Sequence, residues 1–299
     1  MVNEIAKLSQ RFLGRAGREL TGLADRLVVD EIPSRLERRL LERNSVFKNR
    51  HKGQRCFVIG TGPSLKYQDI SPLRGEVTYT MSSFWKHEIV KEWQPTYYCI
   101  CDPIYFDGSQ HIRNFFHSLT SRVGNSLFFI PLAGRAAVQE QRLLPLEHTY
   151  WVALGAELGS RSVIQIDLAR VIPSPMTVSQ LSLMLAIYMG CSPIYLLGLD
   201  HNWLSQPEIA HFYPGLAGLE NHPEVKPELK QHSYRFILEC ALMIWKGYEV
   251  LLDLANRRGI EIFNATAGGC LDVFPRRRYE DIIGLPGLRT EQCEESLTR

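Results

Sequence analysis

The stretch Arg55-Cys56-Phe57-Val58-Ile59-Gly60-Thr61-Gly62-Pro63-Ser64-Leu65-Lys66 joins an apolar run to a glycine-rich turn. Four apolar residues in succession suit a buried parallel strand, and two glycines with a proline predict a sharp turn at its carboxyl end. Open α/β sheets bind their ligands at that edge. Without side chains at 60 and 62, backbone N–H groups can approach a phosphate, and Ser64 can add a hydroxyl donor. The stretch therefore predicts a turn that binds a phosphate or a nucleotide.

The same turn lacks the features of two common nucleotide-binding motifs. A dinucleotide fingerprint needs a third glycine where this chain has Leu65, and an acid after the second strand, where it has Thr80-Met81-Ser82-Ser83. A Walker A loop needs a Gly-Lys-Ser/Thr ending, which Gly62-Pro63-Ser64 does not supply. The sequence thus argues against NAD and against a P-loop ATPase, and a plain tight connection after the strand stays an alternative.

Composition places the chain among globular proteins. Its 299 residues, 45% of them hydrophobic, suffice for one large core with a small helical appendage. The net charge of +2 gives no general signal for nucleic acid. We expect a cytoplasmic protein, because no window approaches about eighteen apolar residues and the first residues do not resemble a secretory signal. The seven cysteines include no CxxC pair, which predicts buried thiols rather than disulfides or zinc ligands.

Residues 1–46 differ in character from those that follow. Apolar residues recur there at near-helical spacing among arginines and acids, which predicts an N-terminal extension of two or three amphipathic helices. The acids dilute the basic face, which favours packing on the main domain or a second subunit over a membrane. A peripheral contact of residues 1–45 with the inner face of the membrane, and a homo-oligomer, stay open. We expect a catalytic domain over residues 47–285 and a polar tail over 286–299.

From about residue 47, short apolar runs alternate with helical patterns. This alternation predicts an α/β fold, with a single doubly wound (Rossmann-like), mostly parallel sheet and flanking helices. The expected strands are 56–60, 76–81, 96–102, 126–132, 149–154, 193–199 and 260–264. The expected helices are 83–93, 109–119, 134–144, 177–190 and 229–258, the last with a break near Gly247.

Polar residues follow several of these strands. Asp102 ends one strand, Asp200 and His201 end another, and Asn264 and Thr266 end a third. In an open α/β sheet these ends share one crevice with the Gly60 turn, which predicts a binding site at that edge. A single Asp after a strand can equally be a helix cap.

The region 201–235 is rich in His, Asn, Tyr, Pro and Gly and reads as a long loop of the kind used to bind ligands. Imidazole exchanges protons near neutral pH, so four histidines are candidate general bases: His201, His211, His222 and His232. We rank His232 first and His211 second. Their irregular spacing, with no Asp-x-Asp pattern, does not indicate a metal site.

Three motifs resemble known families. The turn at residues 60–66, followed by Ser83-Phe84-Trp85, resembles the opening of small bacterial CMP-sialic acid sialyltransferases. Met176-Thr177-Val178-Ser179 before a helix, with the strand ending at Asp200, is similar to their second block. Residues 256–269 resemble the group containing the 6-hydroxymethylpterin diphosphokinase-like domain and the motility accessory factor glycosyltransferases. Together the similarities cover roughly residues 47–283.

The resemblance implies a nucleotide site and a reaction. The residues expected to contact the nucleotide are Gly60, Thr61, Gly62, Pro63, Ser64, Ser83, Asp102, Thr177, Ser179, Asp200, Asn264 and Thr266. Thr61 and Ser83 stand where the sialyltransferases carry asparagine. The implied activity is metal-independent transfer of a CMP-linked nonulosonic acid to a cell-surface glycan, with no cofactor. His232 or His211 would deprotonate the acceptor, and Tyr195, Tyr213 or Tyr234 would hold the leaving phosphate.

Two other functions fit the same residues. A diphosphokinase would move pyrophosphate from ATP to a pterin-like alcohol and would need Mg²⁺, with Asp102 and Asp200 as ligands. A non-catalytic nucleotide-binding partner in envelope-polysaccharide assembly would act through residues 1–45. Dependence on Mg²⁺ separates the two enzymes.

Overall fold

The computed structural model describes residues 34–160, 164–204 and 233–284. Eight strands form one sheet in the order β6-β5-β4-β3-β2-β1-β7-β8, and every pairing between neighbours is parallel. The strands are β1 (Cys56–Ile59), β2 (Val77–Met81), β3 (Tyr97–Cys99), β4 (Leu127–Pro131), β5 (Thr149–Glu157), β6 (Val171–Ser174), β7 (Ile194–Leu197) and β8 (Ile262–Asn264). The predicted Rossmann-like α/β class is confirmed.

Six α-helices accompany the strands in the described residues. They are α1 (Arg35–Glu42), α2 (Gln110–Val123), α3 (Arg135–Glu140), α4 (Val178–Tyr188), α5 (Tyr234–Arg257) and α6 (Tyr279–Ile283). No helix in these ranges is both long and apolar enough to cross a bilayer.

Two hydrophobic cores lie on opposite faces of the sheet. Along β1, Cys56 and Val58 join a core with α4 and α5, whereas Phe57 and Ile59 join one with α2. This division follows from the pleat, which turns successive side chains to opposite faces. Residues 179–188 of α4 are all buried, so this helix is enclosed by the protein around its whole circumference.

The order of the strands reverses between β1 and β7. Strands β2 to β6 extend from one side of β1, while β7 and β8 lie on the other. Crevices at such switch points, outside the carboxyl ends of the strands, are where doubly wound sheets bind ligands. The residues after β1 and β7 are the Gly60 turn and Asp200, both singled out from the sequence.

Three of the differences between the predicted elements and the structure have a clear physical reason. Edge strand β6 was not expected, because its four residues include Pro173, which suits an edge strand and weakens the sequence signal. The predicted helix 83–93 is two 3₁₀ turns, because His87 is extended and its ring accepts a bond from the Ile89 N–H. Helix α5 does not break at Gly247, because that glycine packs against α4.

Helix α1, at the end of the predicted extension, packs on the main domain. Ser34 and Glu37 form a reciprocal capping box at its start, and Leu41 is fully buried. The next buried side chain, Asn44, donates two hydrogen bonds from Nδ2 to the carbonyls of Trp151 (2.7 Å) and Leu168 (2.8 Å). Leu41 and Asn44 therefore attach this segment to the interior of the main domain. The predicted domain limits stay predictions, as do the roles of residues 1–33 and 286–299, which lie outside the described residues.

The cysteines of the described residues are all free thiols. Cys56, Cys99 and Cys191 are buried as predicted, whereas Cys270 is exposed. No group of three His, Cys, Asp or Glu side chains suited to a metal ion occurs within the described ranges.

Candidate functional site

The amides of the Gly60 turn are bound to the end of β7. The Gly60 N–H donates to the Leu197 carbonyl and the Gly62 N–H to the Gly198 carbonyl, each at 2.8 Å. The Ser64 N–H donates to Asp200 Oδ1 at 3.1 Å. All three amides therefore have hydrogen-bond partners within the protein. Nucleotide binding by the turn stays a prediction.

The glycines of the turn allow a close approach to the residues that follow β7. A Cβ at Gly60 would lie 2.4 Å from the Gly198 carbonyl oxygen. One at Gly62 would lie 1.7 Å from Asp200 Oδ2. Such distances are far inside van der Waals contact, so the two glycines let β1 and β7 approach at the switch point. Pro63 begins the 3₁₀ turn that follows and is buried.

Asp200 is a structural anchor of the turn. Its side chain is buried, and Oδ2 accepts a hydrogen bond from the Ser64 hydroxyl at 2.8 Å. Burial raises the pKa of Asp200, while the hydrogen bonds from Ser64 oppose part of that rise. The Ser64 hydroxyl and amide thus both bond to Asp200, and contact of Ser64 with a nucleotide stays a prediction.

The end of β8 joins the same region through buried polar side chains. Asn264 donates to the Leu271 carbonyl at 2.8 Å and accepts from the Thr266 N–H at 3.0 Å. The Thr266 hydroxyl accepts from the Leu199 N–H at 3.2 Å. Gln68, which the sequence did not single out, donates to the Ala265 carbonyl at 2.8 Å. The side-chain polar groups of Asn264 and Thr266, which were expected to contact a ligand, therefore hold the surrounding loops together in this structure.

Asp102 lies away from this cluster. Strands β3 and β7 are separated by β2 and β1, which places their ends about 14 Å apart at the usual spacing of strands. The Asp102 side chain caps the short turn after β3 by accepting from the Ile104 N–H at 3.0 Å. Ser83, which follows β2, is fully buried. The structure thus brings together the ends of β1, β7 and β8 and leaves Asp102 as a cap.

A chain of hydrogen bonds links the start of α4 to the end of β7. Thr177 caps α4, and its Oγ1 lies 2.9 Å from Ser179 Oγ. Ser179 Oγ lies 2.7 Å from the Tyr248 hydroxyl, which lies 2.7 Å from His201 Nε2. Tyr248 is fully buried in α5. Both ends of this chain stand at the carboxyl edge, because α4 runs antiparallel to the strands and His201 follows β7.

His201 is held in an unusual environment. Burial lowers its pKa from 6.5 to about 4, so the ring is neutral at physiological pH. The ring packs edge-on against Trp245 and Tyr248, with centroids 5.7 and 5.3 Å away. Its φ of 48° lies in the left-handed region, which costs roughly 1–2 kcal/mol for a residue with a Cβ. Strained backbone of this kind clusters at functional sites.

The other expected catalytic residues divide by position. His232, His211 and Tyr213 lie outside the described residues and stay predictions. Tyr195 is buried between Phe57 and Phe263 on the face of the sheet, so its ring is not at the carboxyl edge. Tyr234 begins α5 and is 65% exposed. Of the candidate bases, His201 belongs to the cluster that the structure describes.

Tyr248 was missed because nothing local marks it. It stands in an apolar helical pattern, where a tyrosine reads as a core residue. Its partners are 69 and 47 residues away in the chain. A buried tyrosine whose hydroxyl needs a partner was the one signal available.

The comparisons with known proteins concern the fold. No protein-family model matches the chain, and no curated protein matches it. A Maf glycosyltransferase from Magnetospirillum magneticum AMB-1 superposes with a TM-score of 0.45 and 14% identity over 84% of this chain. The sialyltransferase CstII from Campylobacter jejuni, in complex with CMP-3FNeuAc, superposes with a TM-score of 0.44 and 12% sequence identity over 75% of this chain. The chain spans 39% of the Maf structure and 86% of the CstII structure.

Proposed function

We propose that this protein transfers a sugar from a nucleotide donor, of the CMP-linked nonulosonic acid type, to a hydroxyl of a glycan without a metal ion. The observation that carries the proposal is the hydrogen-bonded chain at the switch point, which ends in a neutral imidazole at His201 and a helix-capping hydroxyl at Thr177. Such a pair of ends offers a proton acceptor for an attacking hydroxyl and a donor for a leaving phosphate.

The start of α4 is the part suited to the phosphate. The Gln180 and Leu181 N–H groups donate to the Thr177 carbonyl, which leaves those of Val178 and Ser179 at the start of the helix without a carbonyl partner in it, and the helix dipole favours a negative charge there. Thr177 adds a hydroxyl at the same point and is half-buried. A CMP leaving group carries a single phosphate, whose charge these donors can stabilise together. The amides of the Gly60 turn are engaged with β7, so the turn would shape the wall of the nucleotide pocket.

The diphosphokinase alternative needs Mg²⁺ between carboxylates, and the positions of the two acids do not support it. Asp102 and Asp200 follow strands whose ends are about 14 Å apart at the usual strand spacing, whereas ligands of one ion lie within a few ångströms of each other. Both carboxylate oxygens of Asp200 also accept a hydrogen bond from Ser64. The mechanism therefore assigns no step to a metal.

The first test is thermal stabilisation of the purified protein by CMP, CDP, UDP, GDP and ATP, each with Mg²⁺ and with EDTA. A ligand at one hundred times its dissociation constant adds about 2.7 kcal/mol to the free energy of unfolding. We expect CMP to stabilise the protein equally in EDTA. Stabilisation by ATP and Mg²⁺ with none by CMP would refute the transferase and favour the diphosphokinase.

A matched pair of variants locates the phosphate. Thr177→Val removes the hydroxyl that caps α4 at the carboxyl edge of the sheet. The control, Thr120→Val, removes a hydroxyl within α2 that donates to the Phe116 carbonyl. A hydrogen bond to a charged group contributes about 1.5–3 kcal/mol, so Thr177→Val should weaken CMP binding about tenfold or more. Thr120→Val should leave it unchanged. Equal CMP affinities in both variants would remove Thr177 from the site.

A further inference from the structure

The chain of hydrogen bonds from Thr177 to His201 can run in either of two directions, which differ in which atom of each pair donates. Each of its three hydroxyls carries one hydrogen, and Tyr248 is fully buried, so its hydrogen must be used within the chain. In one direction every hydroxyl donates toward His201, Nε2 accepts, and the ring proton is on Nδ1. In the other, Nε2–H donates to Tyr248, and the hydrogen of Thr177 is left to donate outward.

A ligand at Thr177 selects between these directions. An unprotonated phosphate oxygen accepts hydrogen bonds and cannot donate them, so it requires the outward direction. The proton of His201 then resides on Nε2, and the lone pair is on Nδ1. Within the described residues Nδ1 has no hydrogen-bond partner, so it is available to accept a proton.

We propose that Thr177, Ser179, Tyr248 and His201 form a relay that moves the proton of the acceptor hydroxyl to the leaving phosphate during glycosyl transfer. This inference rests on the proposed function and deepens it. The Nδ1 atom of His201 touches the acceptor and is catalytic. Tyr248 and Ser179 act through their neighbours and are positioning residues.

The step balances without any further reactant. The acceptor oxygen forms a bond to the anomeric carbon and gives its proton to His201 Nδ1. The bond from the anomeric carbon to the phosphate oxygen breaks, and its electron pair stays on the phosphate. The Nε2 proton passes to Tyr248, that of Tyr248 to Ser179, that of Ser179 to Thr177, and that of Thr177 to a phosphate oxygen. The chain is left in the opposite direction, with the ring proton on Nδ1.

The environment of His201 suits a relay better than a simple base. Burial lowers the pKa of this imidazole to about 4, which makes an isolated base weak at neutral pH. A ring that gains one proton while losing another carries no net charge, so burial does not oppose the transfer. The relay also supplies a proton to a leaving group that no metal neutralises.

The direction of the chain can be read from the tautomer of His201 by ¹⁵N NMR of protein labelled at histidine. The signal is assigned by its absence in His201→Asn. We expect CMP to shift the ring proton from Nδ1 to Nε2 in the unmodified protein and in Thr177→Ser. In Tyr248→Phe, Ser179→Ala and Thr177→Val, saturating CMP should bind without that shift. Tyr97→Phe is the control, because it breaks a Tyr97–His51 pair of 2.6 Å at the opposite edge of the sheet.

Turnover gives a second readout, through release of CMP from CMP-sialic acid. Tyr248→Phe should lower kcat about a hundredfold with KM within about twofold, because proton transfer by a positioned group contributes about 10² or more. Bound CMP with an unchanged tautomer, or the same shift in Tyr248→Phe, would overturn the relay and leave the transferase intact. No binding of CMP at all would refute the proposed function, and the relay with it.

Discussion

The neutral state of His201 makes the stability of the protein depend on pH. Its pKa is about 4 in the folded chain and about 6.5 when the chain unfolds. Between these values the unfolded state binds more protons, so folding free energy is lost as the pH falls. For the two pKa values, the contribution of His201 drops by about 2 kcal/mol from pH 7 to pH 5.

The variant that isolates this effect is His201→Asn. Asparagine does not titrate, and it tolerates the left-handed backbone at φ 48°. Urea unfolding of both proteins at pH 5, 6, 7 and 8 gives two curves of stability against pH. We expect the unmodified protein to lose about 2 kcal/mol more than the variant between pH 7 and pH 5.

Subtracting one curve from the other cancels the stability contributions of titratable groups that both proteins share. Burial also lowers the pKa of His87, which reduces the stability of the fold at low pH as His201 does. Burial raises the pKa of Asp200, which increases the stability of the fold at low pH. Both groups are present in both proteins. Parallel curves would show that His201 is not a buried neutral imidazole, and the argument for the relay from its pKa would fail.

Three other substitutions test the packing of the site, each by urea unfolding at pH 7. Gly62→Ala should destabilise by about 3 kcal/mol, because its Cβ would lie 1.7 Å from Asp200 Oδ2; a loss below about 1 kcal/mol would contradict the close approach. Gly247→Ala should destabilise by about 1 kcal/mol despite the helix propensity of alanine, because its Cβ would lie 2.4 Å from Gln180 Nε2; a more stable variant would count against that contact. Asn264→Ala should cost about 2 kcal/mol through two lost buried hydrogen bonds, and an unchanged midpoint would refute their role.

Much of the fold was predictable because its signals are local. Strand β1 is four consecutive apolar residues buried on both faces, and the turn after it is marked by glycine and proline. Helix α4 begins at a capping threonine that the sequence shows directly. Strand β6 was not predictable, because an edge strand of four residues with Pro173 gives almost no periodic signal.

The candidate site was predictable in location but not in chemistry. The polar residues after β1, β7 and β8 meet as expected, since parallel strands present their carboxyl ends at one edge. Which atoms bond to which was not predictable. Asp200 and Ser64 are 136 residues apart, and either could equally have faced a ligand.

The sequence by itself determined the class of fold and the edge of the sheet where polar residues gather, because burial and turn formation follow from neighbouring residues. Only the tertiary structure decided that the Gly60 turn binds β7 and that Tyr248 joins Ser179 to His201. Each hydroxyl, amide and carboxylate has several chemically equivalent partners. The choice among them is made by the packing of helices and strands that are distant in the chain.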